Sequence, residues 1–129
     1  MSEVRVLLVD DEPRFSAPLG KRLAKRGFAV GTVDSGQKAL DLLETEGFDV
    51  VLLDIKMAGM DGINTLGKLK RRHPRVEVIM LTAHANTEMV ISCLAMGACD
   101  YLLKPADMEE LVRKIGEAVR RDNRKPADR

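Results

Sequence analysis

Tryptophan is absent from the 129 residues, tyrosine occurs once and phenylalanine three times. No aromatic ring therefore interleaves with the basic stretch Lys68, Lys70, Arg71, Arg72 and Arg75. A cationic run with no ring to stack on a base, and no helix-turn-helix after it, reads as a solvated face rather than a nucleic-acid surface. Cysteine is equally sparse. Cys93 and Cys99 lie in apolar company with no C-x-x-C spacing and no nearby histidine, which argues against a disulfide framework or a metal site and for buried, reduced thiols. An excess of one charge is missing as well: 21 basic against 20 acidic residues leave +1, so no overall field draws the chain to nucleic acid or membrane. No apolar run reaches the length of a membrane span, and Met1-Ser2-Glu3 has no signal-peptide character, so the expectation is a soluble, cytoplasmic chain with no membrane partner. There are no internal repeats or low-complexity tracts. The length suits one domain with a single sizeable core.

What is present starts with Val50 to Leu53, an unbroken apolar run between Gly47 and Gly59. It is too short for a helix and has no alternation, which predicts a strand buried on both faces, as in a parallel sheet. The run ends on Asp54. Val4 to Val9, interrupted only by Arg5, is a second such strand and runs into Asp10-Asp11-Glu12. Pro13 suits the first turn of a helix carrying Phe15, Leu19 and Leu23 up to Gly27. Phe28 to Val33 is β-prone. Ser35 can cap a helix with Ala39, Leu40 and Leu43, ending by Gly47.

Ile63, Leu66 and Leu69 mark a third helix, which must end by His73 because Pro74 follows. Val76 to Leu81 is a strand leading to Thr82, Ala83 and His84. Val90, Cys93 and Leu94 mark a helix closed by Gly97, and Tyr101 to Leu103 form a last strand before Lys104-Pro105. A helix from about Asp107 carries Leu111, Val112, Ile115 and Val119, with Met108 leading in. Residues 1–121 are the expected domain, and Asp122 to Arg129 are polar with nothing to bury, a tail or the start of a linker. Strand and helix alternate five times, which predicts a doubly wound α/β fold with a five-stranded parallel sheet in the order 2-1-3-4-5.

In such a sheet the carboxyl ends of the strands share one edge, where Asp10, Asp11, Asp54, Thr82 and Lys104 should meet. At an effective dielectric of about 20, two like charges about 4 Å apart repel by roughly 4 kcal/mol, so crowded carboxylates call for a cation. Mg²⁺ takes oxygen ligands and is held by one or two carboxylates together with phosphate oxygens. Beside an ionised carboxylate, a hydroxyl and an amine it suits phosphoryl transfer. Asp54, ending the central strand, is the expected nucleophile, with Asp10 and Asp11 holding the ion.

Taken together, Asp10-Asp11, Asp54 within Leu-Leu-Asp-Ile-Lys-Met-Ala-Gly-Met-Asp-Gly, Thr82-Ala83, Tyr101 and Lys104-Pro105 resemble the receiver domain of two-component response regulators, from residue 4 to about 120. The resemblance implies a flavodoxin-like fold and a phosphorylation-activated switch, not an enzyme with turnover beyond its own phosphorylation and dephosphorylation. Asp54 would accept a phosphoryl group from a sensor histidine kinase or phosphotransfer protein. Asp11 and Asp54 would bind Mg²⁺ directly, Asp10 through a water and Lys56 through its backbone carbonyl. Thr82 and Lys104 would contact phosphate oxygens, Tyr101 would turn inward as Thr82 moves, and the Lys104–Pro105 bond would be cis. Ala58 stands where the family commonly has proline, which loosens the loop without touching a ligand.

A phosphoryl group brings about −1.5 to −2 charges and three acceptor oxygens, which can draw Thr82 and Lys104 inward and reshape the face of residues 87–121 toward a downstream protein or output domain. A phosphorylation-dependent homodimer is a further form that output can take. Turning a 1:99 mixture into 99:1 takes about 5.5 kcal/mol, within reach of charge-assisted contacts. Met57, Met60, Met80, Met89 and Met96 read as gap-filling or switch-face residues, and His84 as a solvent-exposed neighbour of Thr82. A Mg²⁺-dependent phosphatase with an aspartyl nucleophile is the competing reading, but Lys56 stands where its second acid would be. A flavin module is third, and Asp10-Asp11-Glu12 would repel its phosphate.

Overall fold

A computed structural model describes residues 3–56, 61–83 and 87–123. The strands β1 (Arg5–Val9), β2 (Ala29–Val33), β3 (Val50–Asp54), β4 (Glu77–Thr82) and β5 (Asp100–Leu103) alternate with α1 (Pro13–Lys25), α2 (Gly36–Leu43), α3 (Gly62–Arg72), α4 (Thr87–Ala95) and α5 (Met108–Asn123). The five strands form one sheet in the order β2-β1-β3-β4-β5, every pair parallel. Fold class and strand order agree with the sequence expectation.

The sheet sorts its residues by the two-residue period of a strand. Leu7, Val9, Val51, Leu53, Val78 and Met80 face one side, where Ala39, Leu40 and Leu43 of α2, Leu66 and Leu69 of α3 and Cys93 of α4 pack on them. Val6, Leu8, Val50, Leu52, Ile79 and Leu81 face the other, under Leu19 and Leu23 of α1 and Leu111, Ile115 and Ala118 of α5. Fully burying one such aliphatic side chain contributes about 1.5–3 kcal/mol, and β3 is buried along its whole length. That is why its sequence is apolar without alternation and why Asp54, at its end, is held rigidly.

Local chemistry sets most helix ends. Pro13 begins α1, and Gly27 takes a φ of 95° after it. Ser35 accepts a hydrogen bond from the Lys38 N–H at 3.1 Å, and Asp61 accepts one from Asn64 at 2.8 Å. Helix α3 stops before His73-Pro74. Helix α5 runs to Asn123, two residues past the expected end of the domain. Pro18 sits inside α1, a helix-breaking residue tolerated on its exposed side.

Several expectations change. Leu94, a marker of the α4 core face, is exposed together with Ile91, and Cys93 alone is buried on that helix. Beside a short edge strand, α4 has little sheet to cover. Lys70 is not part of a solvated face: its Nζ donates to the carbonyls of Pro74 at 3.0 Å and Val76 at 2.7 Å, tying down the turn into β4. Arg71, Arg72 and Arg75 are exposed. Cys93 and Cys99 are free thiols, the second only partly buried, and burial raises the pKa of both, which leaves them poor nucleophiles at neutral pH. Met57, Ala58, Met60 and His84 lie outside the described residues.

Candidate functional site

The carboxyl ends of β1, β3, β4 and β5 meet as the topology demands. Asp10 follows β1, and its Oδ1 accepts the Glu12 N–H at 2.8 Å, which pins the turn into α1. Asp54 closes β3, with Oδ1 facing the Lys56 N–H at 3.4 Å. One carboxylate oxygen from each of Asp10, Asp11 and Asp54 lies within 4.8 Å of the others. Thr82, buried, ends β4, and its carbonyl accepts the Lys104 N–H at 2.8 Å, so the threonine and the lysine are fixed relative to each other.

Lys104 brings its ammonium to the acids. Nζ stands 2.8 Å from Asp10 Oδ2, 3.4 Å from Asp54 Oδ2 and 3.5 Å from Glu12 Oε1. Its side chain is only 10% exposed and that of Asp54 only 7%. Burial pushes the Asp54 carboxyl up to about 6; Lys104 pulls against this and the Asp10 charge adds to it. For Lys104 burial works toward a lower pKa, but hydrogen bonding to Asp10 and the charges of Asp54 and Asp10 outweigh it, and the pKa is raised. The amine stays charged at any physiological pH.

Asp11, Glu12, Asp54, Lys56, Thr82, Ala83 and Lys104 line an open cavity of about 300 Å³. The carboxylates of Asp11, Glu12 and Asp54 outnumber the ammoniums of Lys56 and Lys104 and leave it negative. Clustered hard oxygen donors, room for retained water and a buried carboxyl with a raised pKa fit a small divalent cation. The residue two positions after Asp54 is Lys56, exposed, and it supplies no second acid for a leaving group.

The family model described as the response regulator receiver domain matches residues 6–116. The chain belongs to this family. It is 40% identical over 112 residues to the DNA-binding transcriptional regulator NtrC of Klebsiella pneumoniae, covering 87% of this chain and 24% of that protein. It is 37% identical over 117 residues to the transcriptional regulatory protein ZraR of Klebsiella oxytoca, covering 91% and 26%. The chain thus spans about a quarter of the length of these relatives. A response regulator receiver domain protein (CheY-like) from Methanospirillum hungatei JF-1 superposes with a TM-score of 0.91 at 30% identity, over 97% of this chain and all of that one. The receiver domain of NtrX from Brucella abortus does so with 0.85 at 29%, over 89% and 98%.

In this receiver domain Tyr101 stands apart from the acid cavity. Its side chain is exposed on β5, with Lys114 Nζ 5.7 Å from the ring centroid, and it lines a separate cavity of about 230 Å³ with Leu103, Pro105 and Glu110. The Lys104–Pro105 peptide bond is cis. Two residues at the site were passed over by sequence reasoning. The sequence presents Glu12 only as part of an acidic run, yet it stands 3.5 Å from Lys104 Nζ. Phe15, read as a core residue of α1, sets its ring 4.4 Å from Lys104 Nζ. Glu12 could have been found from its place beside Asp10-Asp11, but nothing local pairs Phe15 with a lysine on the far side of the chain.

Proposed function

We propose that this receiver domain is a phosphorylation-activated switch in which Asp54 is the phospho-acceptor. The observation that carries the reading is the convergence of Asp10, Asp11 and Asp54 on the Lys104 ammonium, beside the open cavity that Asp11, Asp54 and Lys104 line. Mg²⁺ is the cation we assign to the site: Asp11, Asp54 and the Lys56 carbonyl would hold it, with Asp10 acting through a water, and when bound it would neutralise phosphate charge.

The residues of the chain supply the rest. An Asp54 carboxylate oxygen attacks phosphorus, a bond from oxygen to phosphorus forms, and the bond to the donor breaks with its electron pair leaving on the donor. Lys104, already 3.4 Å from Asp54, offers N–H donors to the incoming phosphoryl oxygens, and the Thr82 hydroxyl offers another. Drawing Thr82 inward would shift α4, and Tyr101 would follow. The face of residues 87–121 would then pass the change to an output domain, a downstream protein or a second copy of the chain.

The donor is a sensor histidine kinase or phosphotransfer protein, and the chain works in the cytoplasm. Its domain is residues 1–121, with α5 continuing to Asn123 into the stretch 122–129 that would serve as tail or linker. The test is incubation with acetyl phosphate and Mg²⁺ followed by intact mass measurement. One phosphoryl adduct on the parent and none on Asp54→Asn supports the reading. An unlabelled parent, or an adduct that survives in Asp54→Asn, overturns it. Turnover of p-nitrophenyl phosphate would instead favour a phosphatase.

A further inference from the structure

Lysine ends in a compact ammonium on a flexible four-carbon stem, so its position depends on what surrounds it. Here the carboxylates of Asp10, Asp54 and Glu12 reach Nζ from the ends of β1 and β3 and from the entry to α1. A fourth neighbour is uncharged. The ring of Phe15, one turn into α1, lies with its centroid 4.4 Å from Nζ, well inside the roughly 6 Å over which an aromatic face attracts a cation. The ring is partly buried against the core between the sheet and helices α1 and α5, so it is held by packing.

We infer that Phe15 is a positioning residue for phosphoryl transfer, its ring being the platform that keeps the Lys104 ammonium over Asp54 while the amine changes partners. This rests on the function proposed above. A carboxylate holds lysine by directed hydrogen bonds, and those N–H donors must be given up when phosphoryl oxygens need them. A ring face attracts through its quadrupole over a broad area and takes no lone-pair-directed bond. Lys104 can therefore turn from Asp54 to an incoming phosphoryl group without leaving Phe15. The ring also keeps water off the amine, so that less of its charge is screened. Glu12 cannot replace it, being 67% exposed in its side chain.

The experiment replaces Phe15 with mono-, di- and trifluorophenylalanine, which keep the shape of the ring while withdrawing density from its face. Asp54 labelling by acetyl phosphate is followed by mass in the presence of Mg²⁺. The rate is expected to fall stepwise, reaching about 3- to 30-fold below the parent with the trifluoro ring. Phe15→Leu should match the low end and Phe15→Trp should hold the parent rate. A readout free of cation and phosphate accompanies this. In chelator, the Lys104 ε-methylene protons should be shifted upfield by the ring in the parent and return to ordinary positions in Phe15→Leu. Equal labelling rates across the fluorinated series, with the parent labelled normally, would overturn the inference and leave the proposed function standing. Unshifted ε-methylene protons in the parent would do the same. A parent that takes no label defeats the receiver chemistry itself, and this role with it. Should Phe15→Leu not fold, the fluorinated series decides alone.

Discussion

Replacing Asp54 with asparagine should make the cation-free protein more stable at neutral pH. The carboxyl is pushed up to about 6 from an ordinary 3.8 because it is buried beside Asp10. The folded state therefore holds its proton more tightly than the unfolded chain. Its contribution to stability is fully present below about pH 3.8, falls as pH rises through about 6, and is absent above that. Two units correspond to about 3 kcal/mol, a figure that already includes the opposing attraction of Lys104 3.4 Å away, so Asp54→Asn should gain about 3 kcal/mol at pH 8. With an unfolding entropy of about 2.1 cal/mol/K per residue, a chain of 129 residues gains about 4 °C per kcal/mol, so the shift should be roughly 11 °C. The assay is urea and thermal unfolding of parent and variant in chelator at pH 5 and pH 8. The two proteins should lie closer together at pH 5, and added Mg²⁺ should raise the parent more than the variant. Equal midpoints at pH 8, or a gap that does not change with pH, would refute the claim that Lys104 only partly offsets the buried charge of the acceptor.

Other perturbations probe how the site is built and read out. A Cβ added at Gly62 would lie 2.1 Å from the Asp54 carbonyl oxygen and 2.7 Å from Ile55 Cα, both backbone, so Gly62→Ala should cost about 3 kcal/mol in urea unfolding and reduce labelling of Asp54; a loss under about 0.5 kcal/mol would contradict this. At Gly36 a Cβ would lie 1.9 Å from Thr65 Oγ1, so Gly36→Ala should cost about 1–3 kcal/mol and Thr65→Ala should restore part of it. A double-mutant cycle checks this, and simple additivity within about 0.5 kcal/mol would sink it. Thr82→Ala should still take a phosphoryl group on Asp54 yet fail to shift the amide resonances of Thr87–Ala95, and normal shifts in the phosphorylated variant would remove Thr82 from the relay.

Much of this molecule is legible along the chain because it is set by local chemistry and by period. The unbroken apolar run before Asp54, the start at Pro13, the Ser35 cap and the stop before Pro74 each act within a few residues, and each is where sequence reasoning expects it. The meeting of Asp10, Asp11, Asp54, Thr82 and Lys104 follows from topology, since strands of a parallel sheet must end along one edge. Side-chain direction and the thickness of cover are different matters. Ile91 and Leu94 are as apolar as core residues, and only the short edge strand beneath α4 decides that they face solvent. Lys70 looks like its basic neighbours until the turn at Pro74 and Val76 offers it two carbonyls. Glu77, buried at the start of β4 with Arg121 3.9 Å away, carries no sign in its strand of being enclosed. The order of apolar, capping and acidic residues was thus enough to specify the sheet and the acidic edge. Which ring stands beside Lys104, and which glycines have no room for a methyl group, was decided only when helices from distant parts of the chain packed against that sheet, because those contacts depend on distances that no local pattern encodes.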